Sequence, residues 1–331
     1  MKKLVIGLAG AGGIARDHAN SLSRLPGVKG LAVFDPDRTR AEELAALHGG
    51  RSVGSLRELA AACNLLWICT PPFVRLAAVR EACRQGIPIF CEKPLGLTIA
   101  ECEAVRREVR AARIPFFMGQ SGRYAAFGRK MKDLVEEGAI GRPWMAWSTR
   151  LGWLDPARSP AWRLDDRRGG GTLIEIGVHE IDFIRWTCGD FVRVSAEASS
   201  RGNFQHTVSA VGTLRGGRIA RLDVSWADPR YLWQRGVEGE EGSLFFDDAR
   251  VREIILHRAG KEPRVFRIEN WKDERTGENI ALRSQAREVV ECLFSGRKPT
   301  VTIEDGAAAV TTALAMRKAA RLGRTVAVPR K

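Results

Sequence analysis

The 331 residues are 44% apolar and 28% charged, and 53 Lys and Arg stand against 39 Asp and Glu for a net charge of +14. That balance excludes a disordered, collagen-like or disulfide-stapled chain, and no run of about 18 apolar residues exists to cross a bilayer. The length suits two domains.

The positive residues are scattered among acids. Their tightest group, Arg106 to Arg113, lies on a helical pattern that also holds Glu108. This argues for an Arg-rich soluble protein with a small-molecule partner, compatible with an anionic one, and against nucleic acid or a membrane. The seven cysteines form no C-x-x-C pair, as expected of reduced thiols in a cytoplasmic protein. Met1-Lys2-Lys3 before an apolar run resembles a secretory leader with small residues at Ala9-Gly10-Ala11. Against that, the run holds Gly7, Gly10, Gly12 and Gly13, which are poor in the helix a leader forms.

Along the chain, strand and helix patterns alternate through the first 120 residues. Leu4 to Ala9 is a short apolar strand, followed by a helix from Ile14 to Leu25. Val28 to Phe34 is a strand closed by Asp35-Pro36, and Thr39 to His48 is helical. Leu65 to Cys69 is an apolar strand ending at Thr70-Pro71-Pro72. Val74 to Arg84 is helical, Ile87 to Cys91 a strand, Ile99 to Ala112 helical and Pro115 to Met118 a strand. Such alternation predicts βαβ units and a buried parallel sheet, with ligands bound beyond the carboxyl ends of its strands.

The texture then changes. A helix over Gly128 to Glu137 leads to β-rich segments at Arg193 to Ser200, His206 to Leu214, Arg218 to Trp226, Ser243 to Phe246, Val251 to His257 and Arg264 to Ile268. Two helices, Ala281 to Phe294 and Glu304 to Leu322, follow. The expectation is an α/β chain. Residues 1–121 would form a doubly wound parallel sheet, and residues 122–331 an α+β domain with a large, open, mainly antiparallel sheet. The exposed face of that sheet predicts a homodimer or homotetramer.

Gly10-Ala11-Gly12-Gly13-Ile14-Ala15 fits G-x-G-x-x-[GA] between a strand and a helix. The first glycine makes the turn, the second lets backbone approach a pyrophosphate, and the helix N-terminus faces the phosphates. Asp35 ends the second strand, where an acid accepts ribose hydroxyls and repels a 2′-phosphate. NAD is therefore favoured, while Arg38 and Arg40 keep NADP in play. Lys93 lies just past a strand's carboxyl end. It reads either as a donor to a substrate oxygen or as a surface lysine paired with Glu92. In a helix over Thr172 to Thr187, a uniform step of about 100° brings Glu175, His179 and Asp182 into one narrow arc. His179 suits proton transfer and Glu175 can orient it; the alternative is a solvated edge of a core helix.

These motifs together resemble the family of glucose–fructose oxidoreductase, inositol dehydrogenase and MocA-type proteins. The resemblance runs through Asp35-Pro36-Asp37 with Arg40, Thr70-Pro71-Pro72, Glu92-Lys93-Pro94, Gly119-Gln120 with Arg123, and Glu137-Gly138. It continues through Trp162-Arg163, Gly169-Gly170-Gly171 with Gly177, His179 and Asp182, to Glu304-Asp305-Gly306. It implies a Rossmann domain, an oligomer-forming α/β domain, and hydride transfer between a nicotinamide and a carbinol carbon of a sugar, cyclitol or polyol. It also implies cofactor contacts from Gly10, Gly12, Gly13, Ile14, Asp35, Arg40, Thr70, Pro71, Glu92, Lys93 and Gln120. Lys93 and His179, with Glu175, would be catalytic. Arg123, Trp162, Arg163 and Asp182 would meet the substrate, and no metal is implied.

Two residues depart from the family pattern. Glu175 stands where related members carry Asp, and Arg75 where many carry His; Arg75 reads as a surface residue or, failing that, as a site for an anionic group. Two other activities remain compatible with the pattern: NAD-dependent glycoside cleavage through transient oxidation, and sugar or nucleotide sensing without turnover.

Overall fold

The computed structural model describes residues 3–248, 251–268 and 272–329. Two units emerge: Met1–Tyr124 with Trp271–Ala307, and Ala125–Asn270 with Ala308–Lys331. This differs from a linear division at residue 121, because the segment from 271 to 307 returns to the first unit.

The first unit contains β1 (Leu4–Ala9), α1 (Gly13–Leu22), β2 (Val28–Phe34), α2 (Arg38–Leu47), β3 (Arg51–Ser52), α3 (Leu56–Ala61) and β4 (Leu65–Ile68). These are followed by α4 (Arg75–Gln85), β5 (Ile89–Glu92), α5 (Ile99–Ala112) and β6 (Phe116–Gly119). The six strands are all parallel in the order β3-β2-β1-β4-β5-β6, the doubly wound arrangement. Leu65, Leu66, Trp67 and Ile68 have no exposed surface, as a strand covered on both faces requires. Trp67 stacks on Phe90 with ring centroids 3.7 Å apart. Burying each such side chain contributes about 1.5–3 kcal/mol.

The helices start where polar side chains satisfy the first amides. Asp37, Ser55 and Thr98 accept from Arg40, Glu58 and Glu101 at the starts of α2, α3 and α5. The returning segment packs because its helix over Ile280–Ser295 shares one core with α1: its Ala286, Val289, Val290 and Cys292 join Ala19, Leu22 and Leu25.

The second unit opens with α6 (Ala126–Glu136) and β7 (Pro143–Trp153). A π-helical turn over Leu173–Gly177 runs into α7 (Val178–Cys188). The strands β8 (Phe191–Arg201), β9 (Phe204–Leu214), β10 (Ile219–Ser225), β11 (Ala227–Gly239), β12 (Gly242–Asp247), β13 (Val251–Arg258) and β14 (Lys261–Arg267) follow. Next come α8 (Ile280–Ser295), α9 (Ile303–Leu322), which begins in the first unit, and β15 (Val326–Ala327). The sheet order is β14-β13-β12-β11-β7-β10-β9-β8-β15. All its pairings are antiparallel except β7 with β10.

The central strands β7 and β11 are absent from the sequence reading. In β11 the alternation is broken by Arg235, which is fully buried, and by Gly236, where an added Cβ would meet the Trp147 ring at 2.3 Å. No described helix is long and apolar enough to cross a membrane.

Candidate active site

In the first unit, the predicted cofactor residues gather at the carboxyl edge of the parallel sheet. Gly10 adopts φ +101°, and a Cβ there would meet the backbone of Cys69 and Thr70 at 3.1–3.2 Å. Gly12 caps α1 with no side-chain hydrogen bond, and no acid occupies the first turn. A Cβ on Gly12 or Gly13 would meet nothing within 4 Å. The start of α1 is thus open, positive and uncapped, as a phosphate requires. Asp35 ties the glycine turn to β2: its Oδ2 accepts the Ala11 amide at 2.8 Å and its Oδ1 the Asp37 amide at 2.9 Å. A carboxylate has about four acceptor positions, so capacity remains for a ribose. Arg38 pairs with Glu42 and Arg40 with Asp37. On the same edge, Thr70 Oγ1 and Gln120 Oε1 are buried atoms with no hydrogen-bond partner. Open glycines, an uncapped helix and unmet polar atoms fit a dinucleotide.

Glu92 ends β5 and is buried. Its Oε1 meets His18 Nε2 at 2.8 Å, and its Oε2 accepts the Lys93 amide at 3.0 Å. Burial pushes this carboxyl up. The hydrogen bond and charge of His18, with Lys93 and Arg75, outweigh burial and hold it below the ordinary carboxylate range. Lys93 is half-buried beyond the strand end. Arg75, read from sequence as a surface residue, is 2% exposed. Its guanidinium is engaged by main-chain carbonyls. Arg123 is also buried, and Asp305 at 2.8 Å and the Thr300 carbonyl at 3.3 Å accept from it.

In the second unit, a π turn interrupts the uniform 100° step on which the predicted stripe was drawn. Glu175 lies inside that turn, and His179 lies in the first turn of α7. Arg163 and Trp226 Nε1 donate to Glu175, the latter at 2.6 Å. Asp182 is 2% exposed, with Arg185 at 3.9 Å. Trp162, Arg163 and His179 are half-buried.

Beside His179, Glu180 is fully buried. It accepts from Ser148 at 2.6 Å, Arg235 Nε at 2.8 Å, Arg150 at 3.2 Å and Trp233 at 3.2 Å. Arg235 sits over the Phe127, Phe183 and Trp233 rings. Burial pushes the Glu180 carboxyl up, but Arg235, Arg150 and Ser148 more than offset it, so the carboxyl is held low. Burial lowers the Arg235 guanidinium from its very high ordinary value.

Residues 4–120 match the oxidoreductase family with an NAD-binding Rossmann fold, and residues 129–245 match the GFO/IDH/MocA C-terminal domain. The chain belongs to the GFO/IDH/MocA family. It is therefore an NAD-binding oxidoreductase. This GFO/IDH/MocA protein is 25% identical to myo-inositol 2-dehydrogenase of Thermotoga maritima over 97% of both chains. It is 26% identical to 1,5-anhydro-D-fructose reductase of Ensifer adhaerens over 97% of this chain and 98% of the other. Its fold matches that of levoglucosan dehydrogenase in complex with NADH and L-sorbose, with a TM-score of 0.88 at 22% identity and 100% of both chains covered.

Several residues around the GFO/IDH/MocA motifs escaped the sequence reading: His18 behind Glu92, Trp226 behind Glu175, Glu180 beside His179, and the burial of Arg75. His18 offered one signal, a polar residue in phase with Ala15, Ala19 and Leu22 on the buried face of α1. The others depend on partners distant in the chain.

Proposed function

We propose that the protein transfers hydride between NAD and a carbinol or carbonyl carbon of a sugar, cyclitol or related polyol. The observation that carries the reading is the position of Lys93. It follows β5 on the same sheet edge as the uncapped α1 N-terminus and Asp35. Names of full-length relatives, an inositol dehydrogenase and an anhydrofructose reductase, support the substrate class.

When bound, NAD supplies the hydride acceptor, or as NADH the donor. Gly12 and Gly13 admit the pyrophosphate to the start of α1, and Asp35 accepts from the adenosine ribose. Thr70, Pro71, Glu92 and Gln120 line the same edge. Lys93 donates to the substrate oxygen and stabilises the alkoxide as it develops, and His179 takes its proton. Glu175, anchored by Arg163 and Trp226, orients His179. Trp162 and Arg163 are proposed substrate contacts. Arg123 and Asp182, buried as they are, enter as supports. Asp35 favours NAD over NADP, since the neighbouring arginines already pair with acids.

A small-molecule partner is further supported by Arg106 and Arg110 of the basic cluster, which pair with Glu304 at 2.6 and 3.0 Å. Val211 and Ile219, 54% and 50% exposed on one face of the large sheet, support a homodimer or homotetramer. The seven cysteines are thiols rather than disulfides, which supports a cytoplasmic location.

The test is a panel of polyols, sugars and sugar acids with NAD and NADP, read at the reduced-nicotinamide absorbance band. Turnover of polyols is expected. No redox on any compound, together with cleavage of chromogenic glycosides, would overturn the reading.

A further inference from the structure

The loops leaving β4 and β5 extend past the sheet that organises them. The ladder between these strands pairs Leu66 with Ile89, Trp67 with Phe90 and Ile68 with Cys91, and there it ends. Thr70 and Lys93 both lie beyond it, so another interaction must set their spacing.

Arg75 supplies that interaction. It opens α4 and is buried at 2% exposure. A guanidinium removed from water is unfavourable unless acceptors meet it. Three carbonyls do. Its Nη2 donates to Thr70 O at 2.8 Å and to Lys93 O at 3.4 Å, and its Nη1 donates to Pro94 O. One acceptor follows β4 and two follow β5. The fork is aimed at these carbonyls even though the buried Nε is left without a partner. Because main-chain oxygens engage both terminal nitrogens, Arg75 does not serve as the anion site that its charge suggested.

The opposite side of the Lys93 peptide is held as well. Its N–H donates to Glu92 Oε2 at 3.0 Å, and the other oxygen of Glu92 is engaged by His18 at 2.8 Å. Glycine at position 119 lets β6 lie close against this residue, since a Cβ there would meet Glu92 Cα at 2.8 Å. The Lys93 backbone is therefore fixed at its N–H by a buried carboxylate and at its C=O by a buried guanidinium. A single-nitrogen side chain at position 75 cannot reproduce a planar fork that spans two loops.

We propose that Arg75 is a positioning residue that bridges the carbonyls of Thr70, Lys93 and Pro94 and so sets where Lys93 presents its ammonium. The inference rests on the reading of Lys93 as the group that acts on the substrate oxygen.

Two measurements on Arg75→Ala and the milder Arg75→Lys test it. The first is competitive acetylation of the cofactor-free protein across pH, read by mass spectrometry. Lys93 reactivity should change at least threefold, while the exposed Lys29 serves as an unchanged reference. The second is steady-state kinetics in the native and Lys93→Ala backgrounds. Misplacement of a reacting group by about 1 Å can lower turnover by about 100-fold, so Arg75→Ala should lower kcat by about 10- to 100-fold, and Arg75→Lys by less. In the Lys93→Ala background the loss should shrink to under about threefold.

Unchanged Lys93 acetylation, or an equal loss in both backgrounds, would overturn the proposal. Full turnover by Lys93→Ala would overturn the role of Lys93 instead, and acetylation would still report whether Arg75 holds it. If Arg75→Ala does not fold, Arg75→Lys carries both measurements.

Discussion

His18 Nε2 lies 2.8 Å from Glu92 Oε1, and both side chains are buried. The imidazole presents edges to Trp67 and Phe90 at 5.2 and 5.3 Å. Because the Glu92 carboxyl is held low, it is ionised at neutral pH, so His18 is the donor. The pair joins α1, whose uncapped N-terminus is the proposed phosphate site, to the turn that bears Lys93.

This pair gives the fold a pH dependence. The native Glu92 carboxyl lies below its ordinary value, and the unfolded carboxyl titrates near about 4.3. The pairing thus contributes stability above that unfolded value and loses it as pH falls through the native one. Glu92→Gln should flatten the loss of stability in acid and lower neutral stability by about 1–3 kcal/mol. Urea titrations at stepped pH measure both effects, and an unchanged acid slope would contradict the ionised pair.

Lys93→Ala should lower kcat by about 10²–10⁴-fold while NADH affinity, followed by fluorescence titration, stays within a few-fold. His179→Asn should show a loss of similar size. If the two serve one step, the double variant will lose far less than the product of the single losses. Multiplicative losses would assign them to separate tasks.

Asp35→Ser removes the carboxylate that already accepts the Ala11 and Asp37 amides. NADH binding should weaken about tenfold, and the gap between NADH and NADPH should narrow as repulsion of the 2′-phosphate is lifted. Tighter NADPH than NADH binding by the native protein would refute the assignment of Asp35.

Glu180→Gln leaves Arg235 buried without its counter-charge, which should destabilise the second unit by about 3–5 kcal/mol. Glu180→Gln combined with Arg235→Met should recover much of that loss, because burying two neutral groups is far less costly. Thermal unfolding of the two variants makes the comparison, and equal midpoints would show that the ion pair contributes nothing specific.

Much of the first unit was legible because its signals are local. A strand, a glycine turn and a helix fall within about 20 residues, and Asp35 follows at the spacing a βαβ unit imposes. The same holds for Lys93 at a strand end. The second unit was harder to read because its strands depend on remote partners. Arg235 broke the alternation of β11, and it is buried only because Glu180, 55 residues earlier, neutralises it. The stripe drawn through Glu175 and His179 assumed a regular helix, and local periodicity does not reveal a π turn.

Spacing and periodicity were therefore enough for the parallel sheet and the glycine turn, while Lys93 and His179 stayed open candidates until the family resemblance singled them out. The return of residues 271–307, the His18–Glu92 pair and the burial of Arg75 emerged only once the chain had folded. Each depends on whether a partner distant in sequence arrives to satisfy an apolar face or a charge, and no local pattern records that arrival.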